Sequence, residues 1–567
     1  MNPHLSCLYF VLYLQFSVVS SSYEACDLTS DGILQLNLST ATRCNLPPFT
    51  DLRIQSNGID ALNTSFVVFT VQTPNVPVRI SLTRTPSLDY SINGSDVGLV
   101  SILEPMETVA EWFLTSWSNV TVPVQFFALP YQNHNASLVP IPGACNQEFD
   151  LENEPNLHLQ NTSAMNITLL EFAAANVGAE RGTPLHYCDV GDASLRFRLT
   201  YELYIWALGS RQLDEEELFA KMMGMSTVDS VIKNGEKVQS FKKEEITEFY
   251  QANYRSRGFI YNVIVTDPLY GTKAAYVPAI VFPCELQNHS LECQEDIDFG
   301  VILIATFTGL AGLVICLFGH RVFSYEIFFW GFVPLFIGAF MTFGSQAPIS
   351  SFALSAVAAT FGLLGGAVHL FLWWRFGKYL WSMLLAGLNL GFLLSALVFF
   401  VTPLENLTTF HNNAIFGLAF SCGMLLVPVV FLYFPKVLSI VSSAVWGAYL
   451  VLATVSYFST GIIHYLLYNV MRRAIMAKYA EAHHTVPFEA IDYVLFAAWA
   501  LSALTGGLLQ WYLTKDSPTA FPPCPYRKWK EKRQVCRTEP DRRGRQIQDV
   551  ARHDSSETSP LLRNQIS

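Results

Sequence analysis

Residues 298–514 form an almost unbroken apolar stretch, and no other feature of the chain constrains its fold as strongly. A helix that crosses a bilayer core of about 30 Å needs about 20 consecutive apolar residues. Turn-forming and charged residues divide the stretch into seven segments of roughly that length. We therefore predict a seven-helix transmembrane bundle over 298–514, with spans at Phe299–Phe318, Ile327–Phe343, Phe352–Trp373, Leu380–Val401, Ala414–Tyr433, Leu438–Phe458 and Tyr493–Thr514.

Residues 1–20 have the pattern of a cleaved signal peptide. Their apolar run, from Leu5 to Val19, is too short for a comfortable span. Small residues suit a cleavage site between Ser20 and Ser22. A signal anchor is the alternative interpretation. Cleavage assigns residues 21–297 to the lumen of the secretory pathway or to the cell exterior.

Six cysteines lie between the predicted signal peptide and the first span. An even number of cysteines in an oxidising compartment predicts disulfides, although several pairings are open. Short loops favour Cys26–Cys44 and Cys284–Cys293, which leaves Cys145 with Cys188. A lumenal zinc site is the weaker alternative, because no two of these cysteines have C-x-x-C spacing.

N-x-S/T sequons, the acceptor sites of N-glycosylation, are concentrated in the same segment. Eight occur before the first span, and a ninth follows the fourth predicted span. With the N-terminus in the lumen, the loop after the fourth span is lumenal as well. The predicted glycosylation sites are Asn37, Asn63, Asn93, Asn119, Asn135, Asn161, Asn166, Asn288 and Asn406.

The charges of the short loops agree with this orientation at most positions. The basic residues of the predicted cytosolic loops are Arg321, Arg375, Lys378 and Lys436. This distribution follows the positive-inside rule. Three other basic residues, Arg472, Arg473 and Lys478, fall in a loop predicted to be lumenal. The segment around them, 464–484, is amphipathic, and we expect it to lie along the membrane interface.

Residues 21–297 alternate apolar and polar positions in short runs rich in β-branched and aromatic residues. Turn signals such as Asn57-Gly58 separate the runs, a pattern typical of antiparallel β-sandwiches. We predict two β-rich, sandwich-like domains, 21–144 and 145–297, with one elongated sandwich as the alternative. An α-helix is expected after Asp214, whose side chain can cap the first turn.

The same segment carries 33 acidic and 16 basic residues, a net charge of −17. Such a surface argues against nucleic acid as a partner. One acidic run has oxygen ligands for calcium but lacks the glycine and the terminal glutamate of an EF-hand loop. A solvated acidic linker is therefore the favoured interpretation of Glu148, Asp150, Glu152 and Glu154.

No catalytic constellation stands out, because G-x-S-x-G, H-E-x-x-H and glycine-rich phosphate-loop motifs are absent from the sequence. We therefore predict neither an enzyme nor a cofactor. Polar residues of the spans are few, and hydrogen bonding within the bundle is favoured over a functional role for them. They are His369, Asn389, Gln510 and, near a boundary, Asp492.

Two glycine motifs predict that spans three and four pack closely together. These are Gly362-x-x-x-Gly366 and Gly387-x-x-x-Gly391. Small residues at this spacing allow the backbones of membrane helices to approach each other. Incidental glycines are the alternative.

The segment after the last span, 515–567, carries 12 basic and 7 acidic residues, a net charge of +5. Its polar composition predicts a disordered cytosolic tail. The aromatic and basic residues of Phe521–Lys530 suit contact with anionic membrane lipid. Near the end, Glu557 precedes Leu561 and Leu562 with the spacing of an acidic dileucine signal. The motif predicts binding of clathrin-adaptor complexes and sorting to endosomes or lysosomes.

Four stretches, in order along the chain, resemble the transmembrane 7 superfamily member 3 family, also called seven-span transmembrane protein 1. They are Gly143–Leu151, Tyr261–Val265, Trp373–Gly377 and Phe521–Lys530. The membrane region of that family is of the type shared with transmembrane protein 198. The resemblance implies a multi-pass protein linked to cell survival, to the unfolded protein response and to relief of endoplasmic-reticulum stress. It implies no catalytic residues and no ligand.

The leading hypothesis is a non-enzymatic glycoprotein of the cell membrane whose ectodomain binds an unidentified protein. An orphan seven-helix receptor is one alternative, although span three ends in Trp373-Trp374-Arg375-Phe376 and not in a D-R-Y type motif. A transporter or channel is another, weakened by the scarcity of charge in the spans. A ceramidase-like hydrolase would need histidines and an aspartate that converge on a metal ion. The candidates, which lack H-x-x-x-H spacing, are His369, His411, His464, His483, His484 and Asp492.

Overall fold

A computed structural model describes residues 23–60, 63–133, 137–162, 167–188, 198–209, 214–241, 248–255, 257–282, 286, 299–345, 351–516, 521–522, 526, 529–530 and 533. The chain divides into two compact units. The first, called the ectodomain below after its predicted location, comprises Met1–Asp296 and the short segment Ala482–Pro487. The second, called the bundle below, comprises Ile297–Glu481 and Phe488–Ser567.

The N-terminal part of the ectodomain is a β-sandwich, as predicted. Its strands are β1 (Ile33–Leu36), β2 (Thr42–Leu46), β3 (Asp51–Asn57), β4 (Thr64–Gln72), β5 (Val78–Ser81), β6 (Ser91–Gly94), β7 (Asp96–Ile102), β8 (Val109–Thr115) and β9 (Val122–Gln132). One sheet has the order β1-β3-β8-β5-β6 and the other β2-β9-β4-β7. Alternate residues of β3 and β8 are buried, which is the pattern of strands with one solvated face. The core between the sheets includes Trp112, whose ring stacks on Phe69 at a centroid distance of 4.5 Å.

Strand β4 departs from this alternation because every one of its residues is buried. Val67 and Phe69 belong to the core of the first sandwich. Phe66 and Val68, on the other face of the strand, belong to a second core that is built mostly from later residues. The second domain therefore covers the outer face of the β4 sheet.

In its described residues, the second domain contains three further sheets and two helices. Its strands are β10 (Ile141–Cys145), β11 (Leu157–Thr162), β12 (Ile167–Phe172), β13 (Ala174–Asn176), β14 (Thr200–Gly209), β15 (Glu236–Phe241), β16 (Glu248–Ala252), β17 (Arg257–Asp267), β18 (Thr272–Ala275) and β19 (Ala279–Val281). The sheets have the orders β10-β13, β11-β12-β16 and β15-β14-β17-β18, with β19 also paired to β17. The long strands β14 and β17 form the centre of the largest sheet.

Two helices, α1 (Glu215–Met223) and α2 (Val228–Asn234), connect β14 to β15. The predicted helix after Asp214 is present, but the Asp214 side chain makes no capping hydrogen bond. Three glutamates in the first turn instead complement the positive end of the helix dipole. Helix α2 does have a capping box, in which Thr227 and Ser230 bond each other's backbone N–H groups.

Two disulfides join the cysteine pairs that loop length and elimination favoured. Cys26 is bonded to Cys44 and Cys145 to Cys188, with Cα–Cα separations of 4.8 and 5.6 Å. The third predicted pair, Cys284–Cys293, lies outside the described residues.

A short segment between the last two membrane helices is part of the ectodomain. His483 N–H donates to the Tyr250 carbonyl at 2.7 Å, and Ala252 N–H donates to the His483 carbonyl at 3.1 Å. The Arg257 guanidinium also donates to the Pro487 carbonyl at 3.1 Å. These bonds extend the β11-β12-β16 sheet by one short piece of chain.

Within the part of the chain that the structure describes, seven helices are long and apolar enough to cross a membrane. Numbered spans 1 to 7 below, they are Phe299–Phe318, Phe323–Gly344, Ser351–Phe376, Tyr379–Val401, Asn413–Phe431, Pro435–Phe458 and Ala490–Thr514. The prediction of seven spans is confirmed. Span 2 begins at Phe323 and not at Ile327, so that Glu326 lies inside it. A shorter helix, Tyr465–Ile475, lies between spans 6 and 7.

Spans 3 and 4 do not pack together through their glycine motifs, contrary to the prediction. Gly362 and Gly366 face span 2, where a Cβ on Gly366 would lie 2.7 Å from the Phe328 ring. Gly391 faces span 5, where a Cβ would lie 2.1 Å from the Met424 carbonyl oxygen. The glycines do permit close approach, but to other neighbours. Span 3 packs mainly on span 2 and span 4 on spans 5 and 6, and a cleft separates spans 3 and 4.

The substitution Gly143→Ala tests how tightly the second domain is packed. Its φ is +66°, and a Cβ there would lie 1.8 Å from the Glu154 carbonyl oxygen. We expect Gly143→Ala to destabilise the full-length chain by roughly 2–5 kcal/mol, from the left-handed backbone and from overpacking. Gly271→Ala is the matched control, because Gly271 has a φ of +69° and open space around it. Thermal unfolding followed by tryptophan fluorescence measures both, and equal losses for the two variants would contradict the steric explanation.

Candidate functional site

A cluster of polar side chains is buried inside the bundle, and it is called the polar core below. Its members are His320, Glu326, Ser439, Ser443 and Gln510, none of which is more than 6% exposed. They come from the turn after span 1 and from spans 2, 6 and 7. Polar groups in a membrane helix bundle are costly unless each has a partner, so this cluster is the first place to seek a function.

Glu326 is the centre of the polar core. Its Oε1 accepts hydrogen bonds from the Ser439 hydroxyl at 2.7 Å and from the Trp330 indole at 3.2 Å. The Ser439 hydroxyl also lies 2.8 Å from His320 Nδ1. Because a hydroxyl has one proton to donate and Ser439 gives it to Glu326, we assign the donor role in the second bond to His320. The result is a directed chain from imidazole to hydroxyl to carboxylate.

The second oxygen of Glu326 has no hydrogen-bond partner among the described residues. His320 Nδ1 lies 4.0 Å from it. A carboxyl group next to an imidazole, joined through a hydroxyl, has the composition of a proton relay. This arrangement can hold or pass a proton.

Gln510 of span 7 joins the polar core to the end of span 1. Its Oε1 accepts from the His320 backbone N–H at 2.9 Å and from the Ser443 hydroxyl at 3.0 Å. Its amide nitrogen donates to the Cys316 carbonyl at 2.7 Å and to the Ile315 carbonyl at 3.3 Å. The last carbonyls of a helix lack partners within that helix, and Gln510 supplies one to the Cys316 carbonyl; the Ile315 carbonyl also accepts from the Gly319 N–H at 2.9 Å.

The network continues from Glu326 into span 4. Trp330, one turn further along span 2, accepts a hydrogen bond at its carbonyl from the Asn389 amide at 3.2 Å. The Asn389 carbonyl accepts in turn from the Trp446 indole of span 6 at 2.9 Å. Asn389 and Gln510, both predicted as structural hydrogen-bonding residues, have that arrangement in the structure.

An aromatic side chain from the segment after span 7 covers His320. The Phe521 ring lies 5.5 Å from the His320 ring and 5.3 Å from the Phe323 ring, and it stacks on Tyr379 at 4.5 Å. Phe521 thereby packs against the apolar cluster at this end of the bundle.

The candidates for a ceramidase-like metal site are not brought together. Among the described residues, no three His, Cys, Asp or Glu side chains are close enough to hold a metal ion. Asp492 instead accepts from the Ile462 and Glu489 backbone N–H groups, each at 2.9 Å. His464 Nδ1 lies 3.0 Å from the Ser456 hydroxyl, and His483 belongs to the ectodomain sheet.

A second buried cluster, the cap cluster below, lies between spans 4 and 5 and the helix Tyr465–Ile475. Arg473 Nη1 lies 3.9 Å from Glu405 Oε2, and both side chains are less than 10% exposed. The guanidinium also donates to the Phe410 carbonyl and lies 3.9 Å from the Phe416 ring centroid. Burial raises the pKa of Glu405 to about 7, against the attraction of Arg473.

Arg472 is buried beside this pair, at 2% exposure. Its guanidinium lies over two tyrosine rings, at 4.2 Å from the Tyr468 centroid and 5.0 Å from the Tyr465 centroid. Cation–π contacts of this kind are strongest where water is excluded. The two arginines that depart from the positive-inside rule are therefore buried and paired within the protein.

The described sequons are accessible to different degrees. Asn37, Asn63, Asn93 and Asn119 are exposed, and Asn406 is half-buried. Asn135, Asn166 and Asn288, and the side chain of Asn161 in β11, lie outside the described residues, as do the sorting residues Glu557, Leu561 and Leu562. Glycosylation and sorting stay predictions.

The acidic run before β11, predicted to be a solvated linker, is exposed at most positions but buried at its last glutamate. Glu148 and Glu152 are exposed, whereas Glu154 is 1% exposed. Glu154 Oε1 accepts from the backbone N–H of Asn156 at 3.1 Å. The Asn156 side chain bonds both the N–H and the carbonyl of Gly98, at 2.6 and 3.0 Å. This end of the run therefore fastens the second domain to β7.

Sequence reasoning missed Glu326, His320 and Glu405. A detectable signal existed for Glu326, since it is an isolated carboxylate in an apolar segment that a longer span 2 would have included. His320 and Glu405 lie in loops, where a polar residue is ordinary, and their burial depends on residues distant in sequence.

Three family models match the chain. The TM7SF3-like, N-terminal immunoglobulin-like domain matches residues 32–131, and the TM7SF3-like, second immunoglobulin-like domain matches residues 140–287. The TM7S3/TM198-like domain matches residues 305–511. The two β-sandwich domains are thus immunoglobulin-like, and the matched membrane region covers most of the seven spans.

Curated relatives match over nearly the whole chain. Transmembrane 7 superfamily member 3 of Mus musculus is 34% identical over 518 residues, which cover 91% of this chain and 90% of the relative. The protein of the same name from Homo sapiens is 33% identical over 519 residues, which cover 91% of this chain and 89% of the relative.

Ser439→Ala tests the polar core. The change removes the hydroxyl that Glu326 and His320 share, and it leaves a buried carboxylate short of a hydrogen bond. We expect a loss of roughly 2 kcal/mol in the stability of the full-length chain in detergent. Ser442→Ala is the matched control, since Ser442 is equally buried in span 6 and its hydroxyl lies 3.5 Å from the Ala386 carbonyl. Equal melting temperatures for the two variants would contradict a stabilising role for the hydrogen bonds among His320, Ser439 and Glu326.

Glu405→Gln tests the cap cluster through the pH dependence of stability. Because folding raises the Glu405 pKa from 4.5 to about 7, the folded state binds this proton more tightly than the unfolded state. The contribution is present below about pH 4.5 and is lost as the pH rises to about 7. The free energy of unfolding of the wild type should therefore fall between pH 5 and pH 8. We expect this fall to be smaller in Glu405→Gln by roughly 1–3 kcal/mol. Glu481→Gln, at an exposed glutamate, is the control, and a wild-type slope retained by Glu405→Gln would rule out the proposed titration.

Proposed function

The chain belongs to the transmembrane 7 superfamily member 3 family, and on that premise we propose that it is a non-enzymatic glycoprotein that favours cell survival. Its role is to support protein homeostasis and to relieve endoplasmic-reticulum stress. The bundle anchors the protein and relays a signal, while the ectodomain binds a protein partner.

One observation carries the relay part of the proposal: the ectodomain incorporates the segment Ala482–Pro487, which lies between spans 6 and 7 in the chain. The segment pairs with β16 through His483. A change in the β11-β12-β16 sheet on partner binding would therefore act directly on the chain that leads into span 7. Immunoglobulin-like domains with exposed sheet surfaces are suited to protein recognition.

Several features support the proposed orientation and location. Disulfides form in oxidising compartments, and four predicted glycosylation sites are exposed on the ectodomain. The ectodomain is then lumenal or extracellular, and the tail is cytosolic. In this orientation the dileucine motif faces the clathrin-adaptor complexes, and the basic residues after span 7 face anionic lipid. The protein would reside at the cell membrane and in endosomes or lysosomes.

A transporter or channel is the alternative with a specific observation in its favour. Glu326 is a fully buried carboxylate, and such residues commonly mark ion or proton pathways. The Phe521 ring packs against His320 at one end of the polar core. We prefer the signal-relay function over a transport pathway. Nearly every polar atom of the polar core already has a hydrogen-bond partner within the bundle.

The proposed function predicts a specific failure of rescue. In cells that lack the gene, we expect a stronger unfolded-protein response to thapsigargin, and the wild-type chain should restore the normal response. His483→Pro removes the N–H that bonds Tyr250 and should restore less than half of it, although the protein still reaches the surface.

His483→Ala is the matched control, because it keeps the backbone bond and should rescue fully. An unchanged stress response in cells without the gene would exclude the survival role. Equal rescue by His483→Pro and His483→Ala would leave the survival role intact and exclude the relay through this segment.

A further inference from the structure

Spans 3 and 4 form a cleft that opens toward the surroundings of the bundle. Gly377 and Lys378 join the two helices in a tight turn, with Gly377 at a φ of +65°. Helices with so short a connection usually pack along their length. Here span 3 packs on span 2 and span 4 packs on spans 5 and 6, so the pair diverges from the turn.

The cleft between them has a volume of about 510 Å³, which lies in the range of small-molecule sites. Its walls are apolar and include Leu372, Trp381 and Leu385. Leu372 and Trp381 are 45% and 67% exposed. In a bilayer, walls of this kind contact lipid chains and not water.

The polar groups of the cleft lie at three depths. Lys378 is at the turn, is exposed, and makes no ion pair or hydrogen bond among the described residues. His369 lies seven residues before the end of span 3, a depth of about 10 Å at 1.5 Å per residue. Its Nε2 has no partner among the described residues. The buried Ser382 lies between these two levels, one turn into span 4.

We propose that this cleft is a binding site for one anionic phospholipid. The phosphate pairs with Lys378 at the membrane surface, and one acyl chain lies between Leu372, Trp381 and Leu385. The polar ester region of a glycerophospholipid then falls near Ser382 and toward His369. The proposed site does not depend on the survival role. It requires only that the turn between spans 3 and 4 lies at a membrane surface.

Charge complementarity favours an anionic phospholipid over a zwitterionic one or a sterol. An acyl chain gains little from leaving the bilayer for an apolar cleft, because lipid tails are as apolar as leucine. Selectivity therefore depends on the headgroup. A lysine without a protein partner attracts net negative charge, and basic sites between membrane helices are known to bind anionic headgroups.

Native mass spectrometry of the delipidated full-length chain in detergent tests the proposal. The probes are phosphatidylserine and phosphatidylcholine with identical acyl chains. We expect the first phosphatidylserine to bind about fivefold more tightly than phosphatidylcholine. Lys378→Gln should abolish that preference, whereas Arg321→Gln, at an exposed cation in another loop, should keep it.

Occupancy of the cleft is tested separately. Leu385→Trp fills the cleft and should remove the first bound lipid of both kinds, while Leu426→Trp, at a 62% exposed position of span 5, should retain it. A preference retained by Lys378→Gln, a preference lost equally in Arg321→Gln, or a first lipid retained by Leu385→Trp would each overturn the site. A cholesterol probe that displaces the first phosphatidylserine would overturn the choice of occupant. If Leu385→Trp does not fold, judged by its melting temperature, the Lys378 and Arg321 variants decide.

Discussion

The small and polar face of span 6 is the constraint on which the arrangement of the bundle depends. Ser439, Ser442 and Ser443 are fully buried, and a Cβ on Gly447 would lie 2.3 Å from the Cys316 backbone nitrogen. Without water in the hydrocarbon, each hydroxyl needs a hydrogen-bond partner, and each of the three contacts one on a neighbouring helix. Small side chains also permit the close approach that dispersion forces between membrane helices require. Spans 1, 4 and 7 therefore have to pack on this face, while span 3 is left at the periphery against span 2.

The ectodomain depends on a different form of shared packing. The two faces of β4 belong to two cores, so a rotation of one domain against the other would expose Phe66 and Val68. Specific bonds hold the same boundary: the Ile280 N–H donates to Asp96 at 2.8 Å, and the Ala275 N–H donates to the Tyr131 hydroxyl at 3.0 Å. Burial raises the pKa of Asp96 to about 6. Two immunoglobulin-like domains joined in this way share one packed boundary.

Much of this architecture could be predicted because the signals are local. A membrane span is recognised by its own length and composition, and Cys26 and Cys44 are close in sequence. The polar core could not be predicted in this way, since Ser439 is 113 residues from the Glu326 that it bonds. The glycine motifs illustrate the same limit. Gly366 and Gly391 indicate that a helix face permits close approach, but the sequence does not say which helix will use that face.

Specific hydrogen bonds hold both ends of span 7, which is the arrangement that the proposed signal relay requires. It follows directly after the segment that the ectodomain incorporates, and Asp492 in its first turn accepts from the Glu489 and Ile462 N–H groups. About 27 Å further along the helix, Gln510 holds the last carbonyls of span 1 and the His320 N–H. His320 is linked in turn to Ser439, and Ser439 to Glu326, so one continuous set of hydrogen bonds connects the far end of span 7 to spans 6 and 2. Span 3 has no such bonds to the polar core among the described residues, because it packs mainly on span 2 at the edge of the bundle.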